Sequence, residues 1–101
     1  MLNLVWLIGK VTKTPEIMEN KDGKKFTILN VMVLRNFKNE KGEYETDFID
    51  CTAYGKFAEN VCEHVKKGYT IAVNGRIQNL SNTSQLQIIV ERVSFLSSKG
   101  E

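Results

Sequence analysis

Five stretches of the chain alternate apolar and polar residues at the spacing of a strand, and a sixth repeats at the spacing of a helix. Residues 3–12 predict a first strand with Val5 and Leu7 on one face and Leu4, Trp6 and Ile8 on the other. Both faces are apolar and a single core takes only one. Trp6 therefore needs a cover, either a loop or helix of the same chain or a second subunit. Pro15 ends this strand because it has no amide to give to a ladder. Asp22-Gly23 sets a turn within Glu19–Lys25. Residues 26–35 form an almost continuously apolar second strand, the pattern of a strand covered on both sides. Val31, Val33 and the preceding Asp-Gly turn favour strand over helix here. The polar loop Asn39–Gly42 reads as a hairpin into the third strand.

That third strand has an unusual distribution. Over Tyr44–Tyr54 one face carries Glu45, Asp47, Ile49, Cys51 and Ala53, the last three suited to a core. The other carries Tyr44, Thr46, Phe48, Asp50, Thr52 and Tyr54, so large rings alternate with polar groups on the side that should meet water. Each ring left out forgoes roughly 1.5–3 kcal/mol of burial, and rings so displayed usually have something to stack on.

Gly55 breaks the strand pattern, and Phe57, Val61 and Val65, with Ala58 and Cys62 beside them, then form one apolar helical stripe. Lys66-Lys67 suits the negative pole of this helix and Gly68 its C-terminal cap. Residues 69–78 are a fourth strand with Tyr69, Ile71, Val73 and Ile77 inward, interrupted by Gly75, which marks a bend or a close backbone approach. After the turn Ser81–Ser84, the alternation in residues 85–96 slips at Ile88-Ile89, as a bulge in a strand rounding a barrel corner would make it do. Residues 97–101 read as a frayed end. The order of three strands, a helix and two strands, with curvature signals, is that of an all-β OB-fold, a five-stranded Greek-key barrel with one helix between the third and fourth strands, occupying residues 1–96 as a single domain.

Composition narrows the function classes. A net charge of +2 excludes nucleic-acid binding by bulk charge, so any such role rests on local placement of Lys and Arg. Cys51 and Cys62 read as small apolar core residues, hence free thiols in a reducing cytosol rather than a disulfide. The apolar opening Leu4–Ile8 is too short to span a membrane and lacks the basic flank of a signal peptide. The single histidine, His64, sits beside Glu63 on the helix as a surface residue, and no metal-ligand spacing, phosphate loop or nucleophile–base set is visible. No enzyme activity, cofactor or metal site is expected.

Six fragments carry a family resemblance: Asn3–Lys10, Pro15-Glu16, Thr46–Phe48, Tyr54–Glu59, Val65–Gly68 and Val73–Arg76. In order and spacing they resemble the bacterial single-stranded DNA-binding protein (SSB) family, from about residue 3 to 96. The resemblance implies bases stacked on Phe37, Phe48 and Tyr54, with Lys56 and Lys67 at phosphate-contact positions. Strand and loop placement adds Lys10, Lys13, Arg35, Lys38 and Arg76 as further phosphate contacts. It also implies a homotetramer built from dimers, with a homodimer as the smaller alternative. The unassigned apolar residues Leu4, Trp6, Met32 and Leu34 would supply the interface. The implied role is sequence-independent binding and protection of single-stranded DNA in replication, recombination and repair. The implied location is the bacterial cytosol or nucleoid, or a phage or mobile-element setting.

Three departures from the family pattern stand out. Ile77–Val90 contains no aromatic and no basic residue, where the family usually has both. Asp50 shares a face with Phe48 and sets negative charge in the path of phosphates. Both imply a smaller footprint and weaker binding. The sequence ends at Glu101, where family members continue into an acidic-tipped tail that recruits replication and repair proteins, so such recruitment is either absent or lies outside a binding-domain fragment. The alternatives are a tail-less relative like the primosomal replication protein, acting as a partner-binding dimer in replication restart, or a protein-interaction barrel that has lost DNA binding.

Overall fold

The computed structural model of the chain describes residues 1–97. Its elements are β1 (Val5–Val11), β2 (Met18–Glu19), β3 (Lys25–Lys38), β4 (Tyr44–Tyr54), α1 (Gly55–His64), β5 (Thr70–Asn79) and β6 (Leu86–Ser97). The five long strands and the helix match the predicted ones in order, and the two-residue β2 is an addition that no periodicity could announce. β1 pairs with β5 through Val5–Lys10 and with β3 at Lys10 and Val11. β4 pairs antiparallel with β3 and parallel with β6. The order β1-β5-β6-β4-β3 thus returns to β1 and the sheet closes, with β2 hanging on β3. This is the OB-fold barrel.

Inward positions fill the barrel as the alternation requires. Leu29, Val31, Cys51, Ala53, Ile71 and Val73 are all fully buried, and Ala58, Val61 and Val65 seal one end. Burial, with the charge of Asp50 as a lesser cause, pushes the Cys51 thiol up to about 12, so it stays protonated and unreactive. Both cysteines are free, Cys51 buried and Cys62 partly so. Among the described residues no helix is long and apolar enough to cross a membrane.

Several local expectations shift. The helix ends at His64, because Val65 turns to extended backbone to bury its side chain, 1% exposed, in the barrel end. Gly68 is therefore no cap: its amide donates to the Val11 carbonyl at 2.8 Å, tying the segment to β1. Lys66 still serves the helix end, donating from Nζ to the Cys62 carbonyl at 3.3 Å, and His64 Nδ1 donates to the Asn60 carbonyl at 2.9 Å. The bulge in β6 falls at Glu91 and not at Ile88-Ile89, since Asn74 faces Arg92 while Gly75 faces Val90. Ile77, expected inward, is 38% exposed because the β5–β6 hairpin projects beyond the barrel there. Thr52 lies on the outward side, as expected, but is covered to 8% exposure where β6 joins β4. Ser97, read as frayed, closes β6 opposite Thr70, while residues 98–101 lie outside the described residues.

Candidate nucleic-acid interface

The outer face of β3 and β4 is the floor of the site. Their register sets Phe26 against Tyr54, Ile28 against Thr52, Asn30 against Asp50 and Met32 against Phe48, all pointing away from the core. β3 looked uniformly apolar, and the structure resolves its faces against intuition. Thr27 is fully buried with its hydroxyl donating to the Glu16 carbonyl at 2.8 Å, while Ile28 is 37% exposed. An apolar residue turned out and a polar one turned in, at adjacent positions, leaves an apolar patch on this outer face.

Two recesses flank this floor and share Ile28 and Asp50. One, about 880 Å³, is walled by Thr12–Glu16 and Met18. The other, about 910 Å³, runs from Phe26 and Tyr54 to Leu80, Ser81, Leu86 and Gln87 of the β5–β6 hairpin. Together they make one groove across the barrel, between the loop after β1 and the hairpin after β5, the region through which OB-folds bind oligonucleotides.

Of the three expected stacking rings, Phe48 is 65% exposed on this floor and Phe37 is 67% exposed near the β3–β4 tip. Phe37 lies in a register break between Leu34 and Lys38. Tyr54 is half-buried, its ring 6.3 Å from that of Phe26, with Lys24 Nζ 4.8 Å from its centroid. Tyr44, to which the sequence assigned nothing, sits 5.7 Å from Lys38 Nζ. Cation–ring contacts of this kind are worth roughly 0.5–1 kcal/mol when exposed, enough to park a lysine next to a ring without fixing it.

The expected phosphate-binding residues do not form one set. Lys13 lines the first recess, and Lys67 is anchored near it by its backbone amide donating to Thr14 Oγ1 at 3.0 Å. Lys10 follows on β1 opposite Met32, half-buried. Lys56 is exposed on the first turn of α1, two residues past Tyr54. Arg35 and Arg76, by contrast, already have partners. Arg76 donates to Glu91 at 3.2 Å and to Gln78 at 2.8 Å. Arg35 grips both oxygens of Asp47, at 3.1 and 2.9 Å, and Glu45 at 2.5 Å. The Arg35 hydrogen bond is the main reason that the Asp47 carboxyl is held below its usual range, and the same bond raises the guanidinium. Lys21 and Lys24, on the groove side of the Asp-Gly turn, are cations that sequence reading passed over as ordinary turn residues.

The acidic clamp gives a measurable expectation. Substituting Glu45→Gln and Asp47→Asn together frees Arg35, adds one phosphate contact and steepens the salt dependence of single-strand binding by about 0.7 in log–log slope. A slope equal to that of the parent protein refutes Arg35 as a masked contact. Because the folded pKa of Asp47 is lowered, the clamp stays closed above the ordinary carboxylate pKa and is lost only as pH falls through the lowered value.

The expected interface residues divide by place. Leu4 and Trp6, 56% and 57% exposed, lie before and within the part of β1 that pairs with β5, joined by Ile8 at 59%. No described part of the chain covers them. Met32 and Leu34 sit on β3 beside Phe48 and Thr46, at the border of the groove.

Comparison with known proteins gives a consistent picture. The single-strand binding protein family matches residues 2–96. A single-stranded DNA-binding protein of Oceanobacillus iheyensis is 35% identical over 99% of this chain, which spans 66% of that relative's length. Single-stranded DNA-binding protein B of Bacillus subtilis is 34% identical over 98% of the chain and is itself 94% covered. Among solved structures, the wild-type single-stranded DNA-binding protein of Thermus aquaticus superposes with a TM-score of 0.78 at 25% identity, over 98% of this chain and 52% of that one. The family match runs over nearly the whole barrel, and the chain belongs to the single-strand binding protein family.

Proposed function

We propose that the chain binds single-stranded DNA without strong sequence preference, in the groove over β3 and β4, and protects it during replication, recombination and repair in the cytosol or nucleoid. The observation that carries this reading is the outward row of Phe48 and Tyr54 on β4, displayed by a strand that buries its small residues. Every base offers a π-face, so such rings hold bases at roughly 1–3 kcal/mol each without reading sequence. Lys13, Lys24, Lys56 and Lys67 stand along the groove at positions suited to phosphates. The activity is binding, with no bond made or broken.

The test is a titration of a labelled mixed-sequence single strand followed by anisotropy over a range of salt. The one tryptophan, Trp6, lies on β1 away from the groove floor, so intrinsic quenching would be a weak reporter. Binding that declines linearly in log–log salt is expected, from counterion release. Absence of binding at micromolar protein overturns the proposal. It would favour the second reading, a protein-interaction barrel like the primosomal relative, to which Asp50 on the floor and the clamped Arg35 lend support.

The exposed Leu4, Trp6 and Ile8 support self-association, as a dimer or a tetramer built from two dimers, with Met32 and Leu34 as a second contact area. Trp6→Glu is expected to shift sedimentation toward the 11.5 kDa monomer. A parent protein already monomeric at every concentration would end this part of the proposal.

A further inference from the structure

Asp50 looks like a defect in a groove for a polyanion, yet the structure holds it in place. Thr12 Oγ1 donates to Asn30 Oδ1 at 2.5 Å, and Asn30 Nδ2 donates to Asp50 Oδ1 at 2.7 Å. The threonine fixes which way the amide faces, and the amide fixes the carboxylate. Three separate segments, the loop after β1, β3 and β4, meet to orient one acid on the groove floor. Asp50 is the residue shared, with Ile28, by both recesses. Its second oxygen takes no hydrogen bond or ion pair among the described residues. An adventitious surface acid would need no such support.

Its position relative to the rings matters. Alternate residues of a strand are roughly 7 Å apart on one face, so Asp50 is the next outward residue after Phe48 on the way to Tyr54. A base stacked on the Phe48 ring would lie within reach of this carboxylate. A carboxylate only accepts hydrogen bonds. Cytosine offers it the N4 amino group, adenine N6, and guanine N1 and N2; acceptance from cytosine N4 is an established pairing for acidic side chains. Thymine offers only N3–H, set between two carbonyl oxygens that the carboxylate repels. The two pyrimidines are alike in size and differ in the donors they offer at this edge, which makes them the informative pair.

We propose that Asp50, held by the Thr12–Asn30 relay, is a base-reading residue that biases this groove toward strands bearing amino-edged bases and against thymine. The inference rests on the groove being the single-strand site. It gives the negative charge a function that repulsion of phosphates alone would not supply.

The experiment compares dC and dT oligonucleotides of equal length at pH 8, on the full chain and on Asp50→Asn, a near-isosteric change at an exposed site. The dC-to-dT affinity ratio of the parent protein is expected to fall about tenfold in Asp50→Asn, chiefly by a gain on dT, with an unchanged melting temperature. If the variant tightens dC and dT by the same factor, Asp50 acts only on phosphates and the base-reading role is overturned while the groove stands. If the parent binds neither strand, the proposed function fails and this inference falls with it.

Discussion

Replacing Phe48 with alanine is expected to weaken single-strand binding by roughly 5- to 150-fold, the range that corresponds to losing one base stack of about 1–3 kcal/mol. The ring is 65% exposed and belongs to no core cluster, so the melting temperature should barely move. Tyr54→Ala should lose affinity on a similar scale but with a cost in stability, because Tyr54 is half-buried and packs against Phe26. The two variants therefore separate on one plot of affinity against melting temperature. Unchanged anisotropy titrations for Phe48→Ala would mean that the floor of β3 and β4 is not where strands lie.

The largest expected effect on stability is at Gly75. A Cβ there would overlap the carbonyl oxygen of Ile89 and sit 3.3 Å from Val90 Cα. Both are backbone atoms of the paired strand, held by the β5–β6 ladder at the bulge, and they cannot swing aside as a side-chain tip would. Gly75→Ala is expected to cost about 3 kcal/mol or more, at the upper end of overpacking effects, seen as a melting temperature lower by roughly 12 °C or more. Gly23→Ala supplies the contrast. Its φ of +80° strains an alanine but nothing lies within 4 Å, so a loss of only about 1 kcal/mol is expected there. Equal losses at the two sites would show that β6 can retreat from Gly75.

Legibility in the sequence tracked how local each cause was. β4 could be read because its inward set is small and its outward set carries rings, so period alone separates Cys51 from Phe48. Gly75 announced a close approach correctly, although the bulge it accompanies sits at Glu91, whose extra position depends on the partner strand. β3 could not be resolved by pattern. Both its faces are apolar, and only the closed barrel shows that Ile28 faces the groove and Thr27 the core. Placement along one strand could not show a neighbour across a hairpin: Arg35 finds Glu45 and Asp47 ten and twelve residues on. The helix end was misjudged because Gly68 is a good cap by type, while the burial of Val65 wins. The Thr12–Asn30–Asp50 relay joins the loop after β1 to β3 and β4 and has no signature in any one of them.

The parallel seam of the barrel has two partner pairs, Cys51 opposite Ile88 and Thr52 opposite Ile89, as few as the β1–β3 contact. Every other long strand pair except β1–β3 is held over a longer ladder. That short seam is where the cylinder should breathe first, with amides near residues 51–52 and 88–89 exchanging through local opening well before global unfolding. Thr52 lines the groove on one side of the seam, and Leu86 and Gln87 stand on the other. A ligand lying in the groove would span the seam like a stitch, so that occupancy would be recorded as slowed hydrogen exchange at residues 51–52 and 88–89.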